Sequence, residues 1–80
     1  MNRDEILQRV QAVFTELFEI EPERVQPAAR LVEDLDLDSI DAIDMVVKLQ
    51  ELIGKRVEET ELRRVRTVED IIELVFTHTR

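Results

Sequence analysis

Residues 38–54 read DSIDAIDMVVKLQELIG, and this stretch sets the architecture expected for the whole chain. Asp38 is suited to cap a helix, and Asp41 three residues later makes a carboxylate version of the capping box. Gly54 suits the left-handed residue that follows a helix. The stretch therefore predicts a helix from Ser39 to about Ile53.

This predicted helix carries apolar residues on two sides. At about 100° per residue, one broad arc holds Ala42, Met45, Val46, Leu49, Leu52 and Ile53. The nearly opposite side carries a narrow stripe, Ile40, Ile43 and Val47, which is flanked by Asp41, Asp44 and Glu51. We expect the arc to face the core. The stripe is either covered by a loop or a neighbouring helix, or it is a partner site in which charge steers the encounter and aliphatic contacts hold it.

Upstream, a first helix is expected to begin at an Asn2 cap and to run to about Glu19, with apolar residues at helical spacing. Residues 20–37 contain both prolines, and their apolar residues follow no sustained helical periodicity. This indicates a long ordered loop with a helical turn after Pro22. Its apolar anchors are Ile20, Val25, Leu31, Leu35 and Leu37.

Downstream, a short helical turn is expected at Glu59 to Arg63. A second capping pattern at Thr67 begins the last helix, whose buried face is Val68, Ile71, Ile72, Val75 and Phe76. Three long helices and one short third helix predict an all-α, small four-helix bundle, formed by one domain over residues 1–80.

Composition limits the function. The net charge is −8, and residues 1–54 hold 13 of the 19 acidic side chains but only 5 of the 11 basic ones. The negative electrostatic field of these side chains repels nucleic acid and anionic lipid and attracts basic protein surfaces. The chain has no Cys, Trp or Tyr, and no uninterrupted apolar run that would predict a membrane span or signal peptide. We expect a cytoplasmic, soluble monomer.

Ser39 is the candidate functional residue, but nothing near it in the sequence could activate it. His78, the only histidine, is expected to be solvent-exposed at the end of the last helix, and no catalytic site or metal site is predicted. An exposed, inert hydroxyl suits modification by another enzyme. A phosphodiester on Ser39 would gain from the helix amino terminus, whereas Asp38 and Asp41 would oppose that gain.

The segment LDLDSID, residues 35–41, resembles the Asp-Ser-Leu/Ile signature of acyl carrier proteins. The resemblance spans essentially the whole chain, including the spacing to Val57, to the short Glu59 to Arg63 segment and to Thr67-Val68. It implies that a phosphopantetheinyl transferase, using coenzyme A and Mg²⁺, attaches a 4'-phosphopantetheine arm to Ser39. The thiol of the arm then holds the acyl chain as a thioester.

The resemblance also implies roles for other residues. The partner-recognition helix would use Asp38, Ile40, Asp41, Ile43, Asp44, Val47 and Glu51. The walls of an acyl pocket would be Val46, Leu49, Leu62 and Ile71. The implied partners are the transferase and acyl-handling enzymes with basic docking patches, such as a ketosynthase, ketoreductase, dehydratase or acyltransferase.

Three features depart from the family of primary fatty-acid synthesis. Asp36 stands where a glycine is usual, Lys48 interrupts the acidic helix, and a basic cluster, Arg63, Arg64 and Arg66, lies on the third segment. These departures suggest a dedicated carrier from a specialised pathway, such as aryl-polyene or related polyketide-like synthesis.

Two other functions are compatible with parts of the sequence. Asp34, Asp36 and Asp38 alternate like the start of an EF-hand loop, but Ser39 replaces the required glycine and Met45 replaces the closing glutamate. Weak, non-specific binding of divalent cations by the acidic cluster stays open. The second alternative is a helical interaction module without an arm, for which the two-sided helix would be a helix-in-groove partner.

Overall fold

The structure, a computed structural model, describes residues 2–79 as a helical bundle. Its helices are α1 (Arg3–Phe18), α2 (Ser39–Ile53), the short α3 (Glu59–Leu62) and α4 (Val68–Thr79). A 3₁₀ turn at Pro22–Arg24 interrupts the loop between α1 and α2. Within this part of the chain the only β pairing is a single antiparallel bridge between Arg30 and Thr67. The all-α bundle with a short third helix and a long first loop is therefore confirmed.

Local caps explain where each long helix begins. The Asn2 side chain accepts a hydrogen bond from the backbone N–H of Glu5 at 2.9 Å, which starts α1. Thr67 and Asp70 exchange bonds at the start of α4, since the Thr67 hydroxyl accepts from the Asp70 N–H at 3.2 Å and the Asp70 carboxylate accepts from the Thr67 N–H at 3.1 Å. These side chains satisfy backbone donors that would otherwise have no partner at a helix start.

The predicted capping box at the start of α2 is present. One Asp38 oxygen accepts from the backbone N–H groups of Ile40 at 3.0 Å and Asp41 at 2.9 Å. The Asp41 carboxylate accepts in return from the Asp38 N–H at 3.2 Å. At the other end Gly54 is left-handed, with φ 78°, as expected for the residue after a helix.

A core of aliphatic side chains and one phenylalanine joins the helices. Phe14 on α1 is fully buried, and no buried residue among those described is polar or charged. On α2 the arc predicted to face inward supplies Met45, Leu49 and Ile53, all buried. The opposite stripe is exposed by 68% at Ile40, 64% at Ile43 and 51% at Val47. The two faces of α2 are therefore as predicted, and the second face is not covered by the loop or by another helix.

The long loop is ordered because its apolar residues enter the core and its backbone bonds to distant segments. The five predicted anchors are all buried: Ile20, Val25, Leu31, Leu35 and Leu37. The Leu31 N–H donates to the Arg66 carbonyl, and the Val68 N–H donates to the Ala29 carbonyl, each at 3.0 Å. These contacts attach the loop to the start of α4 and hold it in one course to Ser39.

An ion pair reinforces the turn in this loop. The Asp34 carboxylate accepts from the Arg30 side chain at 3.2 Å and from the Arg30 backbone N–H at 2.8 Å. The hydrogen bond from the guanidinium, followed by the backbone bond, holds the pKa of the Asp34 carboxyl below its ordinary value. Asp34 therefore stabilises the turn.

The expectation that His78 is solvent-exposed is wrong. Its side chain is only 24% exposed, and its ring Nε2 lies 3.2 Å from a Glu61 carboxylate oxygen. The reason is tertiary: the short α3 carries Glu61 to the end of α4. A hydrogen-bond partner from a distant segment is not visible in the local pattern around His78.

None of the helices among residues 2–79 is both long and apolar enough to span a bilayer.

The backbone of Asp36 generates a prediction about stability. Asp36 is left-handed, with φ 56°, although it is not a glycine. Asp36→Gly should raise the free energy of unfolding by about 0.5–1 kcal/mol, because a left-handed conformation costs a residue with a Cβ roughly that much or more. The measurement is urea denaturation followed by circular dichroism.

Asp36→Ala is the matched control for this prediction, since it removes the same charge but keeps the Cβ. An equal gain for alanine and glycine would mean that relief of charge repulsion, not of backbone strain, stabilises the loop.

The two faces of α2 generate a second prediction. Met45→Asp should cost more than about 3 kcal/mol of unfolding free energy, because it places a charge in the core without a partner. Val47→Asp should change it by less than about 0.5 kcal/mol, because the side chain lies outside the core and is 51% exposed. Thermal melts of both variants test this difference, and similar losses would contradict the assignment of the faces.

Candidate functional site

Ser39 is the first residue of α2 and is exposed to solvent. It is also the only serine in the chain. Two residues earlier Leu37 is buried, and six residues later Met45 is buried. The hydroxyl therefore stands on a short exposed segment between two anchors, with its backbone held by the capping box.

The carboxylates near Ser39 differ in whether they take part in capping the helix. Asp38 and Asp41 are exposed or half-exposed, and both are used in the capping box. Asp44 is exposed one turn further along α2 and takes no part in the cap. Asp44 is therefore the carboxylate of this group that a binding partner can engage without disturbing the start of the helix.

Glu51 is partly neutralised by the neighbouring Lys48. The Lys48 ammonium lies 3.7 Å from the Glu51 carboxylate and 3.8 Å from that of Glu16 on α1. Such exposed ion pairs are individually weak, but they reduce the local negative field. The acidic surface of α2 is thus strongest in its first two turns, next to Ser39.

One exposed aliphatic residue lies outside α2 and is not indicated by the sequence pattern. In addition to Ile40, Ile43 and Val47, the loop residue Val32 is 64% exposed. The sequence pattern did not single out Val32, since it is adjacent to Leu31 in a segment without periodicity. Only the direction of the turn decides that Leu31 points into the core and Val32 into solvent.

A cavity of about 540 Å³ opens beside the first turns of α2. Three of the four residues expected to form an acyl pocket line it: Val46, Leu49 and Leu62. The fourth, Ile71, is not among the lining residues and is fully buried in the core. The walls are mostly aliphatic, which suits a hydrocarbon chain.

The same cavity is suitably placed for a group attached at Ser39. Its lining includes Asp38 and Ala42, which flank Ser39 on the first turn of α2. Arg63 and Arg66 border it on the side of α3. Within residues 2–79 no buried side-chain nitrogen or oxygen lacks a hydrogen-bond partner. An apolar group in the cavity would therefore leave no buried polar atom of the protein unpaired. These residues fit a flexible arm with a polar attachment point and an apolar load.

In the part of the chain that the structure describes, no three His, Cys, Asp or Glu side chains are grouped so that they could hold a metal ion. The carboxylate of Asp34 is engaged with Arg30, as described above.

Comparison with known proteins identifies the family. The family model for a phosphopantetheine attachment site matches residues 8–75. The chain is 53% identical over 72 residues to acyl carrier protein 2 of Ralstonia nicotianae, covering 90% of this chain and 89% of that protein. It is 33% identical over 75 residues to the acyl carrier protein of Thermosynechococcus vestitus, covering 94% and 93%.

Solved structures agree in fold and in length. A crystal structure of acyl carrier protein from Thermotoga maritima superposes with a TM-score of 0.84 at 28% identity, covering 98% of this chain and 91% of that one. The acyl carrier protein of Enterococcus faecalis gives a TM-score of 0.78 at 26% identity, covering 98% and 99%. Sequence and fold thus lead to one conclusion: this chain belongs to the acyl carrier protein family, and it carries acyl groups as thioesters on a covalently attached 4'-phosphopantetheine.

Proposed function

We propose that Ser39 is the residue that bears the phosphopantetheine arm. The observation that carries this proposal is an exposed hydroxyl on the first turn of α2, beside an apolar cavity of about 540 Å³. Because Ser39 is the only serine, no other serine hydroxyl competes for the role. The thiol at the end of the arm supplies the thioester chemistry.

The chain is the substrate of the loading reaction and not its catalyst. A phosphopantetheinyl transferase, with coenzyme A and Mg²⁺, would join the Ser39 oxygen to phosphorus and release the nucleotide part of coenzyme A. The amino terminus of α2 favours the new phosphodiester, whereas the charges of Asp38 and Asp41 oppose it. Exposure of Ser39 lets the arm's phosphate stay hydrated, which limits that repulsion.

The cavity is the proposed shelter for the acyl chain. Val46 and Leu49 on α2 and Leu62 on α3 form walls that an aliphatic chain can cover. Ile71 lies behind them in the core, where it supports the packing of the bundle. Burial of the chain gains about 0.8 kcal/mol for each methylene removed from water.

Partner enzymes are proposed to dock on the outer face of α2. Seven residues make up this recognition surface: Asp38, Ile40, Asp41, Ile43, Asp44, Val47 and Glu51. Carboxylates speed the approach of a basic surface, and desolvated aliphatic contacts then hold the complex. The pairing of Glu51 with Lys48 makes Glu51 the weakest acidic member of this set.

The wider setting is also a proposal. Residues 1–80 act as one carrier domain in the cytoplasm, delivering intermediates to a ketosynthase, ketoreductase, dehydratase or acyltransferase with basic docking patches. The departures at Asp36, Lys48 and the Arg63, Arg64 and Arg66 cluster favour a specialised pathway over primary fatty-acid synthesis.

Attachment at Ser39 is tested by mass. The purified apo chain is incubated with coenzyme A, Mg²⁺ and a broad-specificity transferase, and the intact mass is measured. Wild type should gain one arm and Ser39→Ala should gain none. Thr60→Ala, which removes an exposed hydroxyl on α3, is the control and should load like wild type. Loading of Ser39→Ala would show that another residue carries the arm.

The role of charge is tested at Asp44, because Asp41→Lys would also remove a bond of the capping box. Asp44→Lys should lower kcat/KM of loading by about tenfold at low salt and by less at high salt, since salt screens exposed charges. Glu21→Lys makes the same change of charge at a loop residue without a side-chain cap bond, and it should load normally. Equal losses for the two variants would indicate a net-charge effect rather than a docking site.

A further inference from the structure

Val32 is an exposed aliphatic side chain on an ordered support. The residues on either side of its turn, Leu31 and Leu35, are buried, and the Leu31 N–H is bonded to Arg66. The Asp36 N–H donates to the Val32 carbonyl at 3.1 Å. With its backbone held on both sides, Val32 cannot turn into the core without breaking the loop. Its 64% exposure is a property of the fold.

Val32 faces the same cavity as two of the three residues of the α2 stripe. Val32, Ile43 and Val47 are all exposed, and all three line the cavity. The cavity therefore opens between two apolar banks, one made by the loop and one by α2. A side chain that enters this opening would touch both.

Charge indicates what kind of group fits between the banks. Glu33 on the loop and Asp38 at the start of α2 also line the cavity, so each bank carries a carboxylate. The Glu33 carboxylate lies 3.9 Å from the Arg30 guanidinium but is 59% exposed, so it can still face a partner. The opposite cations, Arg63 and Arg66, lie on the side of α3. A matching surface presents an aliphatic side chain with lysine or arginine on the sides that face the loop and α2.

We propose that Val32 completes a two-sided docking surface with Ile43 and Val47, and that its occupant is a partner enzyme with an aliphatic side chain flanked by basic residues. The proposal rests on the proposed function and deepens it, because it adds a loop residue to a recognition surface otherwise confined to α2. A second copy of the chain is a poorer occupant, since two molecules of net charge −8 repel each other.

The test uses apo protein, so that no arm or acyl chain can cover Val32. Val32→Thr, Ile43→Thr and the double variant are compared with wild type in loading by a broad-specificity transferase and coenzyme A. Threonine keeps the branched shape, and circular dichroism melts verify that each variant is folded. Ala28→Ser, at another exposed loop position, is the control.

Each single variant should lose about fivefold in kcat/KM. A loss of this size is the one commonly used to identify residues that contribute to binding at an interface. The double variant should lose less than the product of the two, because one partner side chain contacts both banks. Normal loading of Val32→Thr beside slow loading of Ile43→Thr would overturn the inference and leave the proposed function intact. If the loss in the double variant equals the product of the two single losses, the inference that one partner side chain contacts both Val32 and Ile43 is overturned.

Two other outcomes are separated from these. A dimer of wild type that dissociates in Val32→Thr, measured by sedimentation equilibrium, would assign the surface to self-association and overturn the inference. Failure of wild type to load would overturn the proposed function, and the inference with it.

Discussion

The structure depends on the way the chain enters α2. Leu37 is buried, Asp38 caps the helix, and Met45 is buried two turns later. These constraints leave Ser39 on the surface at a defined point between two buried residues. This combination suits the proposed attachment at Ser39, because enzymes can reach the hydroxyl while the protein stays folded under different cargoes. The capping box provides both an ordered backbone and an accessible Ser39, because it fixes the start of the helix without covering the hydroxyl.

The acidic residues are divided between structure and surface. Asp34 holds the loop turn with Arg30, and Asp41 completes the capping box. Glu51 shares Lys48 with Glu16 across two helices. Asp44 has none of these duties. Net charge alone thus overstates the field available to a partner. On α2, the acidic side chains without a basic partner lie in the first two turns. A basic partner surface would be guided to the end of the helix where Ser39 lies.

The cavity and the outer face of α2 meet at the same place. Val46 and Leu49 line the cavity from one side of the helix, and Ile43 and Val47 stand at its opening. The proposed cargo site and the proposed docking surface are therefore neighbours on one helix. A partner that docks at the opening comes close to any chain sheltered inside. The short α3 forms the far wall through Leu62 and is attached to α4 by the contact of Glu61 with His78.

The sequence by itself determined the helices, their caps, the two faces of α2 and the motif around Ser39. These features are local, because a cap bonds within three or four residues and a helical face follows from a constant rotation per residue. Only the tertiary structure decided which loop residues point outward, which predicted pocket residues reach the cavity, and where His78 finds its partner. The positions of Val32, Ile71 and His78 depend on segments that are distant in the chain. Neither amino-acid composition nor helical periodicity indicates which distant residues pack against them.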